Sequence, residues 1–313
     1  MKHVYGIVPS RRLGQSLGVS PIPFKTCNYS CVYCQLGRTN HMTNERQTFF
    51  PPDEIIDEFY TFVVKENVND FDVVSIVGEG EPLLYKPLRT IVNFIKKVCS
   101  KKLVLITNGS LFYDEKVRRE VQEIDIIMPT LDAWDEDSFK TINRPHGKLS
   151  FDTVYNGLLK LKEEFPGQIW LEVMLVKGIN DSVESLEKIR EKIQSLEPDR
   201  VYVNVPVRPP AEPWVEKPSQ ATIEMAKSIL GASAIENYAK GAFKVEPTQD
   251  DLDAIISIVK RHPMREKDIR SFLKSRGKQE NECSAFLSTL ANLDFIEKCA
   301  YEGDIIYRFK SRH

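Results

Sequence analysis

The sequence predicts an α/β fold built on a parallel sheet, followed by a small helical unit ending in a hairpin. Three observations carry that prediction. Between about residues 17 and 207, short apolar runs alternate with longer stretches of helical periodicity. The apolar runs are nearly continuous, as expected of parallel strands covered on both faces. After residue 206 the texture changes, first to the proline-rich "PVRPPAEPWVEKP" and then to a new series of helical patterns.

Taken in order, "LGVSPIPF" (17–24) is expected as the first strand, and "PPDEIIDEFYTFVVKEN" as a helix with prolines and acids at its start. "DVVSIVG" reads as a buried strand. "PLRTIVNFIKKVCSK" is a helix with Leu88, Ile91, Ile95 and Val98 on one face. "KLVLITNG" is a strand ended by Gly109, "YDEKVRREVQE" a helix, and "IDIIMPTLD" a strand. "SFDTVYNGLLKLKEEF", "IWLEVMLVKG", "SVESLEKIREKIQSLE" and "DRVYVNV" continue the alternation. The result is six strands with five intervening helices. A doubly wound open sheet and a partial (β/α) barrel both fit that periodicity.

The expected domains are 1–213, a linker or helical extension at 214–247, and a unit at 248–313. The last begins with a capping-box pattern at Thr248, then gives three helices and a hairpin around Glu302, Gly303 and Asp304, which is the winged-helix order. It carries 12 Lys/Arg against 11 Asp/Glu, a weak charge balance for a module that binds duplex nucleic acid.

The chain has 313 residues, 42% hydrophobic and 28% charged, which is ordinary for a globular protein. The first residues hold no apolar stretch of signal-peptide length. No window approaches the ~18 apolar residues of a membrane span. A cytoplasmic chain is expected, with its thiols reduced. The net charge of −2 hides an asymmetry: residues 1–50 carry six Lys/Arg against Glu45, leaving −7 for the remainder. That basic segment suggests an anionic partner.

The same segment holds "CNYSCVYC" at 27–34, three of the six cysteines in eight positions. Thiolates suit zinc or iron–sulfur clusters. A structural zinc wants four protein ligands, and the nearby fourth candidate is His41; Cys99, Cys283 and Cys299 are scattered through apolar patterns. A four-iron cluster on three cysteines leaves one iron open, and an open coordination position is where chemistry happens.

On these residues the chain resembles the radical S-adenosylmethionine (SAM) superfamily. "CNYSCVYC" is similar to its CxxxCxφC signature, with Tyr33 as the aromatic residue. "GEGEPLL" (78–84) resembles the GGEP motif in Gly80, Glu81 and Pro82, with Glu79 standing where the first glycine usually is. "TNGS" (107–110) and "TLDA" (130–133) fall at strand ends that face SAM in the family, as do "LVKGIND" and "VNVP".

The resemblance implies a partial (β/α)6 TIM-like radical SAM barrel with a small C-terminal winged-helix domain. It implies a [4Fe–4S] cluster on Cys27, Cys31 and Cys34, with SAM on the open iron. Tyr33, Gly80, Glu81, Pro82, Asn108, Asp132 and Asn204 are the implied SAM contacts. The implied activity is that of an oxidoreductase that reductively cleaves SAM to a 5′-deoxyadenosyl radical, served by a low-potential donor such as ferredoxin or flavodoxin.

Longer stretches, among them "INRPHG" and "VPVRPPAEP", are similar to an iron–sulfur oxidoreductase group related to the tRNA wyosine (4-demethylwyosine) synthases. That resemblance implies RNA as substrate. Those enzymes bind a second cluster on cysteines upstream of the SAM loop, whereas residues 1–26 here contain no cysteine. The alternatives are a peptide or protein substrate docked by the winged helix, and a non-enzymatic iron–sulfur regulator of DNA. Arg11, Arg12, Arg144, His146 and Arg208 are the expected substrate-side residues, since arginines clamp carboxylate or phosphate.

Overall fold

The computed structural model describes residues 2–65, 70–234, 243 and 250–310. The chain opens on an antiparallel pair, β1 (Val4–Ser10) and β2 (Gly14–Val19), whose connection places Gly14 at φ 73°. Periodicity does not signal β1, because Gly6 and Pro9 interrupt its apolar run. The first parallel strand also differs from expectation. It starts at Gly14 and stops at Val19, because Pro21 and Pro23 cannot donate to a ladder. A two-residue parallel pair follows, β3 (Thr26–Cys27) and β4 (His41–Met42).

Then come α1 (Pro52–Lys65), β5 (Val73–Val77), α2 (Leu88–Val98), β6 (Lys102–Thr107), α3 (Glu115–Glu120) and β7 (Ile126–Pro129). After these lie α4 (Glu136–Ile142), α5 (Phe151–Glu164), β8 (Gln168–Met174), α6 (Val183–Leu196) and β9 (Arg200–Asn204). The six expected parallel strands are β2, β5, β6, β7, β8 and β9, paired in that order. α7 (Gln220–Leu230) leads to β10 (Ser233–Ala234), which pairs parallel at the far edge. With β1 and β10 as separate edges the sheet stays open, as in a partial barrel. α4 escapes sequence reading because seven residues show no periodicity; a reciprocal Asp135–Ser138 capping box starts it.

Strand alternation divides the sheet into two faces. Leu17, Ile76, Leu105, Ile127, Leu171 and Val203 join the core that also takes in Ile91, Val117, Leu158 and Ile189 of the covering helices. Residues of the opposite parity, Val73, Val104, Ile126, Trp170 and Tyr202, form a smaller cluster. That second parity also carries Ser16, Ser75, Glu172 and Asn204, all buried. Polar groups thus line the inner face, where a ligand can use them.

The C-terminal residues form α8 (Asp251–Arg261), β11 (Met264–Arg265), α9 (Glu266–Ser275), α10 (Glu280–Ala291), β12 (Ile296–Tyr301) and β13 (Asp304–Phe309), around a separate apolar cluster. Asp250 caps α8; the expected start at Thr248 and residues 235–242 and 244–247 of the expected extension lie outside the described residues. The β12–β13 turn uses Glu302 and Gly303 at φ 49° and 80°. This unit sits against the sheet. The Arg261 guanidinium lies over the Tyr5 ring at 4.8 Å and donates to the Lys2 carbonyl. Tyr301 Oη donates to the Pro206 carbonyl at 3.2 Å, and Phe309 meets Phe24 edge-on at 5.5 Å. Among the described residues no helix is long and apolar enough to cross a membrane.

Candidate cofactor and substrate site

The β3–β4 ladder pairs Thr26 with His41 and Cys27 with Met42, so the cysteine loop is closed at its base. Inside it, Cys34 N–H donates to Cys31 O (3.1 Å) and Gly37 N–H to Cys34 O (3.0 Å). "INRPHG" braces the outside. Ser30 and Val32 N–H donate to the Asn143 and Ile142 carbonyls, and His146 N–H donates to Asn28 O at 2.8 Å. Burial raises all three thiols, Cys31 to about 12, so the bare chain holds them protonated and metal binding must release protons.

The 78–82 turn docks directly on this loop. Lys25 N–H donates to Glu79 O (2.6 Å) and Glu81 N–H to Thr26 O (3.0 Å). A Cβ on Gly80 would lie 1.7 Å from the Thr26 carbonyl oxygen, which explains the glycine. Glu81 is buried, with both oxygens engaged. Leu83 N–H and Thr107 Oγ1 donate to Oε1 (2.9 and 2.6 Å), and Asn108 N–H donates to Oε2 (2.8 Å). Burial outweighs those bonds and pushes its carboxyl up to about 7. Pro82 starts a 3₁₀ turn, Pro82–Leu84.

Asp132 is the second buried carboxylate. Its Oδ2 accepts from Tyr33 Oη and from Asn143 Nδ2 (2.9 Å), and its Oδ1 accepts from Met174 N–H (2.7 Å). Burial holds it up at about 6 despite these donors. Asn143 Nδ2 also reaches Cys31 Sγ at 3.6 Å, and Asn108 Nδ2 reaches Cys27 Sγ at 3.8 Å and donates to Asn28 Oδ1 at 2.8 Å. The family motifs therefore converge on the cysteines. Glu81 and Asp132 act here as internal braces whose oxygens are occupied by the chain. Sequence reasoning passed over Asn143, although it precedes the flagged Arg144.

Behind Tyr33 and Cys34 opens a cavity of about 400 Å³, bounded by the inner sheet face on one side and the C-terminal unit on the other. Arg11, Arg12, Asn204 and Arg208 line it from the barrel; His262, Arg265 and Phe272 line it from the C-terminal unit. Arg12 pairs with Glu172, whose other oxygen accepts from Asn204 Nδ2. Arg11 Nη2 donates to Asn204 Oδ1 at 2.9 Å. Arg208 Nε donates to the Pro263 carbonyl at 2.8 Å, and its Nη2 meets His262 Nε2, so it ties the two parts together.

Two expected substrate residues lie elsewhere. Arg144 and Arg38 both pair with buried Glu212, whose carboxyl they hold below the usual range, bracing the cysteine loop. His146 Nδ1 accepts from Lys148 N–H at 3.2 Å, on the outer side of that loop.

A loop of three thiols at the strand ends of an open α/β barrel defines a cluster-binding enzyme scaffold. A model of the Radical SAM superfamily matches residues 22–193, and the chain belongs to that superfamily. The UPF0026 protein of Methanocaldococcus jannaschii is 33% identical over 322 residues, covering 100% of this chain and 98% of its own. A probable dual-specificity RNA methyltransferase RlmN of Thermotoga petrophila is 25% identical over 223 residues, 67% of this chain and 60% of its own. Among solved structures, a radical SAM methyltransferase from Sphaerobacter thermophilus gives a TM-score of 0.54 at 19% identity, covering 72% of this chain and 67% of that one.

Members of this superfamily bind a [4Fe–4S] cluster and SAM. The residues present fit both. The three thiols lie in one closed loop, with the Asn143 and Asn108 amides at 3.6 and 3.8 Å from Cys31 and Cys27 Sγ. Gly80 lets the motif backbone approach where a side chain would block it.

Proposed function

We propose that this chain is a radical SAM enzyme in which Cys27, Cys31 and Cys34 hold the cluster and the cavity beyond Cys34 receives the substrate. The observation that carries this reading is the cysteine loop itself, closed by its ladder and facing that cavity through Tyr33 and Cys34. The cluster and SAM supply a hydrogen-abstracting radical when reduced, and a ferredoxin or flavodoxin would deliver the electron. The chain supplies position and exclusion of water. Its backbone at Gly80 and the Asn108 amide present polar groups beside the thiols, while Asn204 and the arginines set the far end.

RNA is the substrate class proposed, entering as one nucleotide turned out of its stack. The basic first fifty residues, the RNA methyltransferase relative and the similarity of "INRPHG" and "VPVRPPAEP" to wyosine-type enzymes support it. The α8–β13 unit is proposed as a winged helix, but not as a reader of duplex. The exposed face of α10 presents Glu280, Glu282, Ser284 and Thr289 without a Lys or Arg, and the hairpin is turned against Pro206.

The test is anaerobic reconstitution followed by dithionite and SAM, with 5′-deoxyadenosine measured for wild type and Cys31→Ala. Cysteine-dependent deoxyadenosine is expected. A protein that holds no four-iron cluster and binds no SAM would overturn the reading.

A further inference from the structure

The C-terminal unit does more than sit beside the barrel. It supplies one wall of the cavity, and the charges around that cavity are unevenly satisfied. Arg12 has Glu172, and Arg265 has Asp268 at 2.7 Å to both nitrogens. Arg261 sits 3.5 Å and Lys260 3.2 Å from the buried Glu79 carboxylate. Arg11 differs. Among the described residues it makes no ion pair, and its contact there is the neutral Asn204 amide. Burial and the adjacent Arg12 guanidinium push it down to about 10 against the pull of Glu172, the carboxylate already paired with Arg12, and it stays charged at neutral pH. Desolvation together with Arg208, Arg11 and Arg265 holds His262 well below its usual value, so it faces the cavity neutral, as an acceptor for Arg208. Two guanidiniums confined beside a single carboxylate, Glu172, leave one positive charge unmatched, which is costly unless a ligand brings an anion.

We propose that the cavity is a joint site of barrel and C-terminal unit, and that Arg11 receives a carboxylate or phosphate carried by the substrate's reacting unit. This rests on the radical SAM reading, and it assigns to the C-terminal unit the closing wall of the substrate pocket. A volume of about 400 Å³ suits one nucleotide or one small acid, not a folded partner.

The experiment uses the full, iron-loaded protein with saturating SAM, and follows its thermal midpoint and calorimetric heats as AMP or succinate is titrated. Saturable, salt-sensitive stabilisation by one of the two is expected. Binding of AMP alone assigns a phosphate; binding of succinate alone assigns a carboxylate. Arg11→Gln should weaken that binding about tenfold or more, and Arg11→Lys should recover part of it. Ser271→Trp, at an exposed cavity-lining position on α9, should block the probe from the C-terminal side. Unchanged affinity in Arg11→Gln overturns the anion site, and unchanged affinity in Ser271→Trp overturns the shared wall. Wild type that binds SAM but neither probe, or whose probe is displaced by SAM, overturns the pocket while leaving the cofactor reading intact. A probe bound without SAM binding does the reverse, and binding of neither SAM nor probe overturns both.

Discussion

Glu79 and Glu81 stand two residues apart in one turn, and the fold treats them in opposite ways. Glu81 faces the strand ends and takes neutral donors from Leu83, Thr107 and Asn108. Glu79, also buried, accepts from Ser20 Oγ and takes cations, Lys260 and Arg261, from the end of α8. The first carboxyl is raised by burial; the second is a counter-ion between two units. The difference shows how one turn can brace the strand ends with one acidic side chain and fasten the C-terminal unit with the other. It also accounts for the departure from the family pattern, in which glycine stands at position 79. There the acid has a partner that a barrel alone would lack.

That contrast can be broken at several points. Cys31→Ala should have the largest effect, abolishing cluster-dependent deoxyadenosine, as measured by chromatography. Gly80→Ala should come next. Its methyl meets a backbone carbonyl rather than a flexible side chain, so the cost should reach about 3 kcal/mol, read by urea unfolding, with weaker SAM binding. Glu79→Ala should cost on the order of 3 kcal/mol by leaving Arg261 buried without its carboxylate, and should loosen α8 in hydrogen exchange while sparing β6.

Glu81 answers to pH instead. Its folded carboxyl, at about 7, holds a proton that the unfolded chain has released above about 4.5. The native state then binds more protons, so this group's stabilisation is full below that lower value and is lost as pH rises to 7. Denaturant midpoints of iron-free wild type should fall across that window, and Glu81→Leu should flatten the slope. Lys177→Ala should be the smallest change. It removes an exposed pair with Glu216 and should not measurably move the midpoint.

The repeating part of the fold was legible because it obeys two periods. The six parallel strands and their helices carry continuous apolar runs and one-sided helical stripes, and local pattern suffices for those. β1, α4 and the early stop of β2 were not legible, since each depends on a short segment, a cap or prolines. The cysteines and the strand-end motifs were legible as spacing, and the structure brings them together. The side chains' partners were not. Nothing local to Glu79 announces Arg261, and nothing near Arg12 announces Glu172, because those pairs join residues far apart in sequence. Arg144 and His146 had the right chemistry for a substrate clamp, yet they brace the back of the cysteine loop.

The contact between residue 79 and residues 260–261 also sets a schedule for synthesis. About 180 residues must follow Glu79 before its cations exist, which at roughly 5–20 residues per second is on the order of ten to forty seconds. Through that interval the nascent barrel carries an unmatched acid beside its cysteine loop, and the N-terminal strand waits for Arg261 to cover Tyr5. The barrel can take shape while the chain is still being made, but the 78–82 turn gains its cations only once α8 has been translated.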